Sequence, residues 1–117
     1  MPVRKKRCNT ARLYAIGVHV GLAEIENVSY GEWPDDLNRA YVWVACYAEA
    51  RNQFVEIVQE RLWAMGIRVS SVDQVEIVSE AKLVSPQSVV DELAARADQT
   101  RQLEVDLDLS TRQAGEE

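Results

Sequence analysis

The sequence predicts an α+β domain with the element order β-β-α-β-α, built on one small mixed sheet. Two stretches alternate with period two: Tyr14, Ile16, Val18, Val20 and Leu22 against the small Ala15, Gly17, Gly21 and Ala23, and then "YVWVACYA" from Tyr41 to Ala48. Near Ala48 the period lengthens to that of a helix, with Phe54, Ile57, Val58, Leu62 and Met65 on one face and Gly66 where a left-handed C-terminal cap belongs. That helix hands over directly to Ile67 and Val69, resuming after a kink as Val75, Ile77 and Val78. Strand, helix, glycine turn and strand form a crossover unit, which joins parallel strands by a right-handed connection.

The first strand is expected over 13–25, beside or between the other two, and its glycines mark where a large group approaches the backbone. "ENVSYGEWPDDLNR", 26–39, is a polar connection in which Gly31 and Pro34 forbid a long element, while Pro34, Asp35 and Asp36 suit a single helical turn. Ser85 and Pro86 start a second helix with a narrow stripe of Val89, Val90, Leu93 and Ala97. "LEVDLDL", 103–109, reads either as a short edge strand or as an acidic extension of that helix. The arrangement resembles a ferredoxin-like α+β sandwich without its first helix. This likeness rests on 41–78 plus the first strand, and it implies an architecture but no activity.

With 117 residues, 47% hydrophobic and 27% charged, the chain fits one domain, expected over 13–109 between a basic arm, 1–12, and an acidic tail, 110–117. Arg4, Lys5, Lys6, Arg7 and Arg12 make the arm basic within a net charge of −6, so the rest of the chain is strongly acidic. An acidic body repels phosphate backbones and suits a basic partner, which counts against nucleic acid as a ligand except through the arm. Cys8 and Cys46 show neither a disulfide framework nor metal-ligand spacing, and they fit a reducing cytoplasm. "MPVRKKRCNTAR" followed by "LYAIGVHVGLA" imitates a secretory signal, but His19 and two glycines interrupt the apolar run, so a strand is expected there in preference to cleavage within 1–23. No stretch has the length of a membrane-spanning helix.

Cys46, facing the helix with Val42 and Val44, is expected to be core, and Tyr41, Trp43 and Tyr47 line the opposite face. Residue parity sets His19 away from Cys46, which disfavours a Cys-His nucleophile pair. His19, Tyr41, Trp43 and Tyr47 then form a candidate pocket on the aromatic face, to be covered by the C-terminal helix, a second copy or a ligand. Trp63 falls about 180° from the apolar face of its helix, where an indole suits a partner rather than a core. Tyr30, Trp33, Asp35 and Asp36 complete a candidate partner surface on the polar connection.

No phosphate loop, dinucleotide fingerprint, nucleophile elbow or metal motif occurs. The expectation is a non-enzymatic, cytoplasmic, bacterial-type interaction domain without metal or cofactor, an acidic inhibitor or immunity-type binder of a basic protein. Salt-sensitive binding separates that class from the alternative, a dimeric α+β protein with a small-molecule pocket.

Overall fold

A computed structural model describes residues 16–107; the basic arm with Cys8, the first residues of the expected first strand and the acidic tail lie outside the described residues. Among the described residues, four strands form one sheet in the order β3-β1-β2-β4: β1 (Gly17–Asn27), β2 (Arg39–Ala48), β3 (Ile67–Ile77) and β4 (Glu104–Val105). Three helices accompany them within the described residues: α1 (Arg51–Ala64), α2 (Glu80–Val84) and α3 (Val89–Thr100). The class is α+β. Among the described residues, no helix is long and apolar enough to cross a membrane.

All neighbouring strands pair antiparallel, so the sheet is not mixed. The crossover inference nevertheless has a physical basis: β2 and β3 both run against β1 and therefore share a direction, with β1 inserted between them. Helix-period residues between two apolar strands reveal that direction but not the strand placed between. "LEVDLDL" contributes β4, an edge strand of two residues beside Val44 and Ala45.

Both faces of the sheet are covered, each by a different helix. Ala23 and Ile25 of β1 and Ala40, Val42, Val44, Cys46 and Ala48 of β2 bury against Phe54, Val58 and Leu62 of α1. Val18, Val20 and Ala45 bury against Leu93, Ala94 and Ala97 of α3, with Trp43 and Tyr47 packed around them. This differs from a ferredoxin-like sandwich, which gathers its helices on one face. It also explains a strand that is apolar on both sides: the C-terminal helix covers the aromatic face.

α1 repeats its buried residues every fourth position, which keeps one stripe on the sheet. Ile57 packs at the margin of the core, whereas Met65 caps the helix and is exposed, outside the expected apolar face. Gly66 has φ +89°, the conformation expected of a glycine cap. A Cβ there would also lie 2.5 Å from Ser29 Oγ and 2.9 Å from Tyr30 N, so the turn closes onto the chain leaving β1. Gly66 O accepts the N–H groups of both Val28 and Ser29 at 2.8 Å, tying these segments together.

α2 was not signalled by the sequence, because five residues with no buried side chain leave no apolar period. α3 begins at Val89, and its cap lies three residues beyond the expected Ser85. Its cap is Ser88, which accepts from Asp91 N at 3.0 Å, while Asp91 Oδ2 accepts from Gln87 N at 3.2 Å.

Candidate interaction surface

The β1–β2 register decides which candidate residues meet. It pairs His19 with Cys46, Gly21 with Val44 and Ala23 with Val42, so His19 and Cys46 share the face under α1. This corrects the expected parity. His19 is 2% exposed, stacks on Phe54 with ring centroids 5.5 Å apart, and its Nδ1 lies 3.1 Å from Gly17 O. Burial lowers the His19 pKa, partly opposed by the Gly17 carbonyl. Cys46 is 4% exposed and its Sγ donates to Tyr47 O at 3.3 Å. Burial pushes the thiol pKa up against a smaller opposing effect of Arg61, which favours the unreactive thiol.

The aromatic pocket is therefore divided. His19 belongs to the α1 face, while Tyr41, Trp43 and Tyr47 occupy the α3 face. Trp43 and Tyr47 are half-buried beside α3, with the Arg101 guanidinium 4.2 Å from the Tyr47 ring centroid; Tyr41 is exposed. The large group that approaches Gly21 is the Phe54 ring together with Val72: a Cβ on Gly21 would meet Phe54 Cε2 at 3.1 Å and Val72 Cγ1 at 3.0 Å. Beyond α3 the same face turns polar, with Arg39 bonded to Glu24 at 2.7 Å and the Ser70 hydroxyl donating to Glu26 at 3.1 Å.

On the connection between β1 and β2, Trp33 is only 8% exposed. Its indole N–H donates to Leu37 O and its ring joins the α1-side core together with Leu37. Trp33 is thus turned inward, contrary to the expected partner anchor. The polar sequence around it concealed this, since one indole buried by a four-residue turn produces no periodic pattern. Tyr30 is half-buried, with its backbone N–H donating to Asn27 Oδ1 at 2.8 Å. Burial, followed by the charge and hydrogen bond of Glu32, raises the Tyr30 pKa. Asp35 and Asp36 are exposed.

Trp63 is 58% exposed on the outer side of α1. It borders a groove of about 310 Å³ shared with Gln59, Glu60, Arg68 and Val69, which the sequence did not single out. Because Gly66 closes onto Ser29 and Tyr30, Trp63 and the acidic connection occupy the same end of the domain. The exposed Met65 and Val28 lie at that end too. A second cavity, about 390 Å³, lies at the start of β1 among Ile16, Tyr47, Ile77, Leu83, Glu80 and Asp98. Among the described residues, no group of three or more His, Cys, Asp or Glu side chains is placed to hold a metal ion. Comparison with family models, with curated proteins and with solved structures finds no match.

Proposed function

We propose that this chain is a small, non-enzymatic, cytoplasmic interaction domain of bacterial type, which binds a basic protein by occlusion as an inhibitor or immunity-type binder does. The observation that carries this reading is Trp63, a large indole left 58% exposed at the same end as Glu32, Asp35 and Asp36. An exposed Trp costs solubility, and its removal from water is among the largest contributions one residue makes to an interface. The neighbouring carboxylates supply charge that draws in a basic surface, in keeping with the net charge of −6. Tyr30 stands at the margin of this patch. Trp33 supports it from beneath as part of the core.

The test is capture of host proteins on immobilised full-length chain, comparing wild type with Trp63→Ala. Loss of a basic protein from the variant, with unfolding unchanged, supports the reading; identical capture contradicts it.

The cavity beside Tyr47 favours a second reading, a small-molecule site on the aromatic face. Its aliphatic wall, aromatic ring and the Glu80 carboxylate suit an amphipathic organic cation, while Asp98 is already paired with Arg101 at 3.9 Å. Saturable binding of such a cation that is lost in Tyr47→Ala distinguishes it from the first.

A further inference from the structure

β3 is eleven residues long, and among the described residues only β1 pairs with it. Val78 N donates to Val18 O at 2.9 Å and Val28 N to Gly66 O at 2.8 Å, so even-numbered residues of β1 bond toward β3. Their ladder partners include Arg68, opposite Glu26, and Glu76, opposite Val20. By the alternation of an antiparallel ladder, the backbone groups of Ile67, Val69, Val75 and Ile77 point away from the sheet.

Two register shifts interrupt β3, leaving extra residues at Ser70 and at Gln74, whose φ is 55°. Bulges and charges of this kind protect an edge against arbitrary strands. Here, however, they are arranged symmetrically about Val72. Ser70 and Gln74 stand two residues to either side of it, and Arg68 and Glu76 stand four to either side.

We propose that β3 pairs antiparallel with β3 of a second copy about a two-fold axis at Val72, forming a homodimer with a continuous eight-stranded sheet. This pairing sets Ile67 opposite the second copy's Ile77 and Val69 opposite its Val75, all four through outward backbone groups. It also sets Arg68, which lies 4.0 Å from Glu26 within its own chain, opposite the second copy's Glu76, and symmetry repeats that juxtaposition. The two bulge positions fall opposite each other in this register, Ser70 against Gln74, although only Gln74 has a left-handed backbone. Faces agree as well: the ladder with β1 places Ile67, Val69, Val72 and Ile77 on the α1 side and Arg68 and Glu76 on the other. The exposed Ile77 and the half-buried Val69, Val72 and Val75 gain cover. A heterologous strand would match this pattern of charges and bulges only by coincidence, whereas a second copy carries its complement by symmetry.

The experiment is sedimentation equilibrium of the full chain, for wild type, Arg68→Glu, Glu76→Arg and the double variant. Wild type is expected to show a monomer–dimer equilibrium, each single reversal to raise the dissociation constant about tenfold, and the double variant to return toward wild type. A wild type that stays monomeric up to roughly millimolar concentration, near the weakest affinity such a pairing could have, overturns the proposal. So do single reversals without effect, or a double variant no better than the weaker single. Should a reversal fail to fold, hydrogen exchange on the wild type decides: the amides of Ile67, Val69, Val75 and Ile77 must gain protection as concentration rises, and unchanged exchange overturns the pairing. Arg68 and Val69 also border the groove beside Trp63, whereas Glu76 does not, so Glu76→Arg reports on the pairing without altering that groove and Trp63→Ala reports on partner binding.

Discussion

His19 lies directly opposite Cys46 in the β1–β2 ladder, and both side chains are enclosed beneath α1, His19 against the ring of Phe54. A histidine beside a cysteine suggests a nucleophile and its base. The surroundings oppose that role, because burial favours neutral imidazole and neutral thiol, and the cysteine hydrogen bond is made to Tyr47 O.

A buried neutral histidine makes folding sensitive to acid. The pKa of His19 is lowered from its ordinary 6.5, so between those two values the unfolded chain binds a proton that the folded chain refuses. Stability from this group is complete above 6.5 and falls as pH drops below it toward the lowered value. Urea midpoints of wild type and His19→Gln, measured between about pH 7.5 and 5, are expected to converge as pH falls, since carboxylate contributions are common to both. A constant difference between the two would show that His19 does not titrate in the enclosed site described.

Cys46 is expected to behave as a small core residue. In a Cys8→Ser background its thiol should react with iodoacetamide only on the timescale of unfolding, and Cys46→Ala should cost about 1–2 kcal/mol without exposing any catalytic defect. Rapid alkylation of the folded protein would mean that α1 opens over this face.

The two central tryptophans of the candidate surface should separate cleanly in stability. Trp33→Ala removes a buried indole and its hydrogen bond to Leu37 O, for an expected loss of about 3–5 kcal/mol. Trp63→Ala removes an exposed ring and should shift unfolding by less than about 0.5 kcal/mol. Chemical denaturation of both variants checks the contrast, which would fail if Trp63 proved equally costly.

The same contrast shows what the sequence could and could not convey. Trp63 was legible because helical period fixes the direction of every side chain once one apolar stripe is known. Trp33 was not, because an irregular turn has no period from which direction can be inferred. Gly66 was legible as a cap, since φ +89° is a conformation that favours glycine. The pairing of His19 with Cys46 was hidden because β1 and β2 are covered on both faces. Apolar alternation then no longer distinguishes one face from the other, and register depends on the connection between the strands. The antiparallel sheet was hidden for a related reason: nothing in β2, α1 or β3 reveals that β1 lies between the two strands the helix joins.

Gly66 provides a local test of how the interaction end is held. Gly66→Ala must accommodate a side chain at φ +89° and against Ser29 and Tyr30, at an expected cost of about 2–4 kcal/mol. Measured loss below about 1 kcal/mol would contradict the close approach of that turn to the end of β1.

Affinity capture by Trp63→Ala, measured against wild type in host lysate at low and high salt, tests the account most directly. Wild type is expected to retain a basic protein whose capture weakens with salt, and Trp63→Ala to lose about 2 kcal/mol or more of affinity for it, with an unchanged urea midpoint. Asp35→Asn and Asp36→Asn should mainly slow association, by less than about 1 kcal/mol each. Equal retention by wild type and Trp63→Ala would contradict the claim that this exposed indole is the anchor of a binding surface.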